Sequence, residues 1–113
     1  MNQQPDASNT GTSNTIKVEL NETESRYDIM VGGQLAGFTE FRETDTEIAF
    51  THTETFDEFA GQGLGRELVA GALSDAVTHG KTLVPYCPFV AKYIRRHPET
   101  APDVRWPDSP RLS

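Results

Sequence analysis

Three glycines alternate with other residues just before a predicted helix, at Gly61, Gly63 and Gly65. Because glycine has no side chain, a phosphate group can approach the main chain closely at these positions. The first N–H groups of a helix lack intrahelical partners and the helix dipole is positive there, so a helix start binds anions. The spacing therefore indicates a phosphate site, although the same glycines are also compatible with nothing more than a tight turn.

Two known phosphate-binding motifs do not fit these glycines. A P-loop requires Lys and then Ser or Thr after its last glycine, whereas Arg66 and Glu67 follow here. A dinucleotide-binding fingerprint requires Gly-x-Gly-x-x-Gly after the first strand of a parallel βαβ unit. Residues 61–65 instead follow four predicted strands, so both motifs are set aside.

Cys87 is followed by Pro88 at the start of a second predicted helix. Proline is well tolerated at the first helical position, which puts Cys87 at the N-cap. The helix dipole and the free N–H groups stabilise a thiolate there, so Cys87 is a candidate reactive group. The alternative is a small buried hydrophobic residue, which free cysteines often are.

His52 lies near the end of the fourth predicted strand. Imidazole exchanges a proton near neutral pH, so His52 is a candidate general base, with Glu54 and Glu58 as alternatives. Strict alternation puts His52 on the same face as Phe50, and a bulge would reverse this. All three candidates are also compatible with a solvated surface position.

The residues before the glycines alternate between apolar and polar types, which predicts four strands. These strands are expected at residues 15–20, 26–31, 34–42 and 47–53, and Gly37 is a candidate bulge. Short turns join them, and Gly32-Gly33 is typical of a hairpin. The pattern predicts an antiparallel β-meander.

Helical spacing begins at Gly63 and continues to Val77, with Gly80 suited to the C′ position. Residues 81–86 predict a fifth strand, which can pair in parallel with the fourth because the helix supplies the crossover. In the second helix, the apolar face is expected to comprise Phe89, Val90, Tyr93 and Ile94. The predicted fold is α/β (α+β): meander, helix, parallel fifth strand and C-terminal helix.

The chain of 113 residues accommodates one domain. Residues 1–14 are polar and predict a disordered lead-in, residues 15–97 the folded domain, and residues 98–113 a Pro-rich C-terminal tail. The four prolines after residue 97 predict that this tail lacks regular structure.

The charge and cysteine content narrow the possible functions. Ten Lys and Arg against 17 Asp and Glu give a net charge of −7, which argues against nucleic-acid binding. The sequence contains no apolar run of transmembrane length and no secretory signal, and its single cysteine suits a reducing compartment. These features predict a cytoplasmic protein without membrane partners, and no residue spacing suggests a metal site.

The order of elements resembles the core of the GNAT acetyltransferase superfamily. Residues 60–65 match the superfamily pattern Arg/Gln-x-x-Gly-x-Gly/Ala at Gly63 and Gly65, but Ala60 replaces the first Arg or Gln. Residues 87–98 are similar to a Cys-Pro-x-Val-x-x-Tyr-Ile-x-x-His-Pro block found in a small single-domain GNAT-like group, and residues 52–54 are also similar to that group. The resemblance spans residues 16–99.

This resemblance implies an acetyl-CoA-dependent N-acetyltransferase that holds the coenzyme A pyrophosphate at the glycine turn and acts on an unidentified amine acceptor. The alternative is a non-catalytic coenzyme A or acyl-CoA-binding module. The residues expected to contact the coenzyme are Gly61, Gln62, Gly63, Leu64, Gly65, Arg66 and Cys87. Arg95 and Arg96 are further candidates for its phosphates, or form a solvated helix end.

The resemblance also implies catalytic roles for three residues. Cys87 would lie near the thioester, either as an acyl acceptor in a covalent relay or as a contact for the coenzyme. Tyr93 stands where many GNAT enzymes place a tyrosine that protonates the departing thiolate. Its alternative is a ring that packs on the sheet. His52 would act as the general base toward the incoming amine.

Overall fold

The computed structural model describes residues 15–107, so the predicted lead-in and residues 108–113 of the predicted tail lie outside the described residues. Five strands form one sheet in sequence order: β1 (Ile16–Asn21), β2 (Arg26–Val31), β3 (Gln34–Glu43), β4 (Glu47–Thr55) and β5 (Thr82–Pro85). Strands β1 to β4 are antiparallel, and β5 is parallel to β4. The α-helices are α1 (Leu64–Thr78) and α2 (Pro88–Arg96), and a short 3₁₀ helix (Asp57–Phe59) precedes α1. The predicted α+β architecture is confirmed.

The ends of the two helices follow the local sequence. Gly80 has a φ of +75°, and its N–H donates to the Val77 carbonyl while the Lys81 N–H donates to the Ala76 carbonyl. This pair of bonds is a Schellman motif, so Gly80 occupies the predicted C′ position. Cys87 is the N-cap of α2 and Pro88 its first residue, also as predicted.

One hydrophobic core holds both helices against the sheet. Ile29 and Phe50 of the sheet are fully buried, as are Leu68 of α1 and Val90 of α2, and all four belong to one cluster. Each such side chain contributes roughly 1.5–3 kcal/mol through burial. The start of α1 and the start of α2 are therefore fixed relative to β4 and β5, from which the two helices emerge.

Two bulges interrupt the alternation of the strands. In β3 the register with β2 shifts at Ala36, next to the predicted position Gly37. In β4 Phe50 pairs with Phe41 and His52 pairs with Glu40, which leaves Thr51 as the extra residue. Because a bulge reverses the facing of the residues beyond it, His52 and Phe50 take opposite faces.

The segment after α2 differs from the irregular tail that the prolines predict. Residues Pro98–Thr100 form a 3₁₀ helix, and Val104 makes a parallel bridge to Leu83 of β5. The Arg105 guanidinium donates to both carboxylate oxygens of Glu47, at 2.7 and 2.9 Å. This segment therefore covers the outer edge of β5, which would otherwise present unpaired main-chain groups. Among residues 15–107, no helix is long and apolar enough to cross a membrane.

Candidate functional site

A groove of about 430 Å³ lies between the start of α1 and the outward face of α2. We call it the α1–α2 groove. Its walls are the glycine turn and first turn of α1 on one side, α2 on the other, and the end of β4. The residues that line it are Thr55, Phe59, Ala60, Gly61, Gly63, Leu64, Gly65, Arg66, Phe89, Lys92, Tyr93, Arg96 and His97.

The three glycines of the turn are required for different physical reasons. Gly61 and Gly63 have φ values of +82° and +72°, which residues other than glycine rarely adopt. Gly63 is the N-cap of α1 and has no side chain that could bond the N–H groups of the first turn. Gly65 is helical, but a β-carbon there would lie 2.9 Å from the ring of Phe89. The turn therefore leaves the N-terminus of α1 uncovered toward the groove.

The groove is basic, although the chain has a net charge of −7. Arg66, Lys92 and Arg96 are its fully charged lining residues, and no Asp or Glu lines it. No carboxylate among residues 15–107 lies within 4.0 Å of these three cations. Unpaired cations beside an open helix N-terminus attract an anion.

The neighbouring Arg95 faces elsewhere. Its guanidinium carbon lies 4.7 Å from the centre of the Trp106 ring, a cation–π contact that ties α2 to the segment behind it. Arg95 lines a separate cavity with Trp106 and Tyr86. Arg95 and Arg96 were both candidates for phosphate contacts. In the structure they face different cavities, and only Arg96 faces the α1–α2 groove.

Helix α2 has two functional faces. Val90 and Ile94 point into the core. Phe89, Lys92 and Tyr93, together with Arg96, follow the spacing i, i+3, i+4, i+7 and line the groove. The expectation of one apolar face fails at Phe89, which is 44% exposed, whereas Tyr93 packs partly against the core with Val90 and Ile94 and also borders the groove. Phe89 and Lys92 were not predicted as site residues. The i, i+3, i+4, i+7 spacing of these four residues is the sequence feature that indicates their shared face.

Tyr93 lies in the groove and is partly buried against the core. Its ring contacts the ring of His97, one helical turn later, with 4.6 Å between ring centres. The core therefore supports the ring on one side while the groove borders it on the other. This arrangement combines packing with access to the groove.

Cys87 is buried, with 4% of its surface exposed, and it does not line the groove. Its Sγ donates to Thr53 Oγ1 at 3.3 Å, and Thr53 Oγ1 lies 2.9 Å from Thr39 Oγ1. The Cys87 N–H donates to the Phe50 carbonyl at 2.9 Å. Cys87 therefore joins the start of α2 to β4.

Strands β4 and β5 part near this cysteine. Their last pair is Phe50 with Pro85, and β4 continues through residues 51–55 beyond the end of β5. Thr55 at the end of this stretch lines the α1–α2 groove. The open stretch of β4 thus leads from the groove toward the Cys87 region.

His52 lies on the sheet face opposite Cys87, as a result of the bulge at Thr51. Its ring lies 6.1 Å from that of Phe38, and its Nε2 lies 3.3 Å from Glu54 Oε1.

The structure brings Tyr93 and most of the glycine turn together in the groove. It does not bring His52, Cys87 or Gln62 into that lining. In the part of the chain that is described, no group of three or more His, Cys, Asp or Glu side chains is arranged to hold a metal ion.

Comparison with known families identifies the family of this chain. The model of the family described as GCN5-related N-acetyl-transferase matches residues 26–104, which is most of the chain. The chain belongs to the GCN5-related N-acetyltransferase family, and the predicted superfamily is confirmed. The narrower resemblance of residues 87–98 to one small group stays a prediction.

Two solved structures are similar to parts of the fold. Ard1 from Thermoplasma volcanium is 23% identical with a TM-score of 0.45, over 52% of this chain and 40% of that protein. An integron cassette protein of V. cholerae is 15% identical with a TM-score of 0.48, over 63% of this chain and 51% of that protein. The chain thus spans about half or less of each. No curated protein matches the sequence.

Proposed function

We propose that the protein is an N-acetyltransferase that uses acetyl-CoA as co-substrate and acts on an amine acceptor. The observation that carries this proposal is the α1–α2 groove, where an uncovered helix N-terminus and three unpaired cations meet in an acidic chain. Such a helix start is suited to a pyrophosphate, and the membership in the family favours that of coenzyme A. The N–H groups of residues 62–66 would hold it.

The open stretch of β4 supports a path for the rest of the coenzyme. The pantetheine arm of acetyl-CoA contains two amides, which bond well to the main-chain groups of an unpaired strand edge. Residues 51–55 continue beyond the end of β5 and lead away from the groove. We therefore expect the acetyl thioester where β4 and β5 part, within reach of Tyr93.

The chemistry proposed for this position is direct transfer. The neutral amine attacks the thioester carbonyl, whose developing negative charge the main-chain N–H groups stabilise. The carbon–nitrogen bond forms and the carbon–sulfur bond breaks. The Tyr93 phenol gives its proton to the leaving sulfur, and the amine loses a proton to a base. His52 is the proposed base. Its side chain is hydrogen-bonded to Glu54 and 55% exposed, and it would accept this proton on the face of the sheet opposite Cys87.

The environment of Cys87 favours direct transfer over a covalent relay. A relay requires a thiol that can reach the thioester, whereas this thiol is buried and hydrogen-bonded to Thr53. We therefore assign Cys87 to the structure of the cleft. Its proposed task is to hold the start of α2 against β4.

The test is to incubate the protein with acetyl-CoA and measure release of free thiol, with and without a panel of amines and basic peptides. We expect release that depends on an amine, with a matching mass increase in that amine. Tight binding of coenzyme A with no release above background would instead identify a non-catalytic binding module. Failure to bind coenzyme A would refute both functions.

The same assay separates the two chemical routes. Cys87→Ala is expected to retain turnover, because direct transfer does not need the thiol. Mass spectrometry of the protein after incubation with acetyl-CoA alone provides the second readout. An acetyl group on Cys87, together with loss of turnover in Cys87→Ala, would establish the relay.

A further inference from the structure

The α1–α2 groove contains two separate sources of positive potential. One is the N-terminus of α1, with Arg66 in its first turn. The other is on α2, where Lys92 and Arg96 stand one helical turn apart and face the same groove. A pyrophosphate at the start of α1 accounts for the first source and leaves the second without a ligand.

The phosphates of coenzyme A differ in a way that matches this division. Its pyrophosphate is esterified at both ends, whereas its ribose 3′-phosphate is a monoester, and a monoester carries about −1.5 to −2 charge near pH 7. Two cations that carry no carboxylate partner among residues 15–107 match such a group in charge. Arginine adds a planar pair of donors that suits phosphate oxygens.

We infer that Lys92 and Arg96 bind the 3′-phosphate of the coenzyme and make the groove selective for coenzyme A over dephospho-coenzyme A. This inference rests on the proposed function, and it adds the two residues that determine which nucleotide is accepted. Both side chains are exposed, so they can close on a phosphate without disturbing the core. No acidic side chain lines the groove to oppose this charge.

Arg95 provides a matched control on the same helix. It has the same charge as Arg96 and is its direct neighbour, but it lies over Trp106 and outside the groove. A general effect of removing positive charge from α2 would therefore appear equally in Arg95→Gln. A specific phosphate contact would not.

The experiment is to titrate coenzyme A and dephospho-coenzyme A by calorimetry into the wild type, the double variant Lys92→Gln/Arg96→Gln, and Arg95→Gln. A charge-assisted contact to phosphate corresponds to roughly a tenfold preference, so we expect the wild type to bind coenzyme A about tenfold more tightly. The double variant should bind both nucleotides with the weaker affinity. Arg95→Gln should keep the preference.

Three outcomes would overturn the inference. The wild type could bind both nucleotides equally, the double variant could lose affinity for both by the same factor, or Arg95→Gln could lose the preference to the same extent. In each case coenzyme A still binds and the proposed function stands. If the wild type binds neither nucleotide, the proposed function fails as well. Thermal unfolding of each variant verifies that it is folded.

Discussion

The ring of Phe89 lies directly against the main chain of Gly65. A β-carbon at position 65 would be 2.9 Å from Phe89 Cζ and 3.3 Å from Cε2. The two helices therefore approach at a residue without a side chain, at the edge of the α1–α2 groove. Gly65 has an ordinary helical backbone conformation. Glycine is therefore required at this position by the contact with Phe89 and not by its φ value.

Gly65→Ala is expected to separate binding from stability. Alanine favours a helix by about 1 kcal/mol over glycine, and Phe89 is 44% exposed, so the tip of its ring can move aside. The melting temperature should therefore stay the same or rise. The displaced ring would enter the groove, and we expect the affinity for coenzyme A to fall by roughly tenfold, equivalent to about 1.4 kcal/mol. Calorimetry and thermal unfolding measure the two effects.

The control is Phe89→Leu in the Gly65→Ala background. A leucine side chain is shorter than the ring, so it should relieve the contact and recover much of the affinity. If Gly65→Ala binds coenzyme A as the wild type does, the ring does not border the bound nucleotide.

Tyr27 provides a prediction about stability. The residue is 4% exposed, and its hydroxyl donates to Asp75 Oδ2 at 2.6 Å. Burial raises the pKa of Tyr27, and the hydrogen bond to Asp75 raises it further. Tyr27→Phe is expected to cost about 1–2 kcal/mol of unfolding free energy near pH 7, because the phenol loses a hydrogen bond to a charged group.

The pH dependence of this cost has a definite sign. The folded-state pKa is raised above the ordinary value of 10.0, so the contribution of the neutral phenol is complete below about pH 10 and is lost as the pH rises further. The difference between the wild type and Tyr27→Phe in urea unfolding should therefore shrink between pH 9 and pH 11. A difference that stays constant over this range would contradict the role of the hydroxyl.

Features encoded by short stretches of sequence could be predicted. The end of α1 depends on Gly80, and the start of α2 depends on the adjacent residues Cys87 and Pro88, so local chemistry determines both. The four meander strands follow from alternation in the same way. The positive φ of Gly61 and Gly63 agrees with the tight turn that the glycines also indicated, and the phosphate site there stays a prediction.

Features that depend on contacts distant in sequence could not be predicted. The bulge at Thr51 is set by pairing with β3, and it alone decides which face His52 takes. The hydrogen-bonded ion pair of Arg105 and Glu47 joins residues 58 positions apart, and no local sequence pattern indicates it. The groove face of α2 is defined by the approach of α1, so Phe89 resembled a core residue in the sequence.

The pair of Arg105 and Glu47 gives a prediction at acid pH. Hydrogen bonds from Arg105 lower the pKa of Glu47 below its ordinary value of 4.5. The stabilising contribution of this carboxylate is therefore present above about pH 4.5 and is lost as the pH falls through the folded-state value. Glu47→Gln should lower the melting temperature modestly at pH 7, and the difference from the wild type should vanish toward pH 3.

Glu58→Gln is the control for this comparison. Glu58 is exposed and has no ion pair among the described residues, so its removal should leave the melting temperature unchanged. Because salt screens exposed pairs, the effect of Glu47→Gln should also decrease at high ionic strength. An equal effect in both variants would mean that the pair does not hold the final segment to β4.

Tyr93→Phe tests the proposed acid. The substitution removes one hydroxyl and keeps the ring that packs on the core and contacts His97, so folding and coenzyme binding should be retained. Loss of general acid catalysis typically slows a reaction by about 10² to 10⁴, and we expect kcat to fall by at least 10². Tyr86→Phe is the matched control, since Tyr86 is 55% exposed and lies outside the groove. If Tyr93→Phe retains full turnover, or if it loses coenzyme A affinity in proportion to kcat, Tyr93 packs or binds but does not protonate the leaving thiolate.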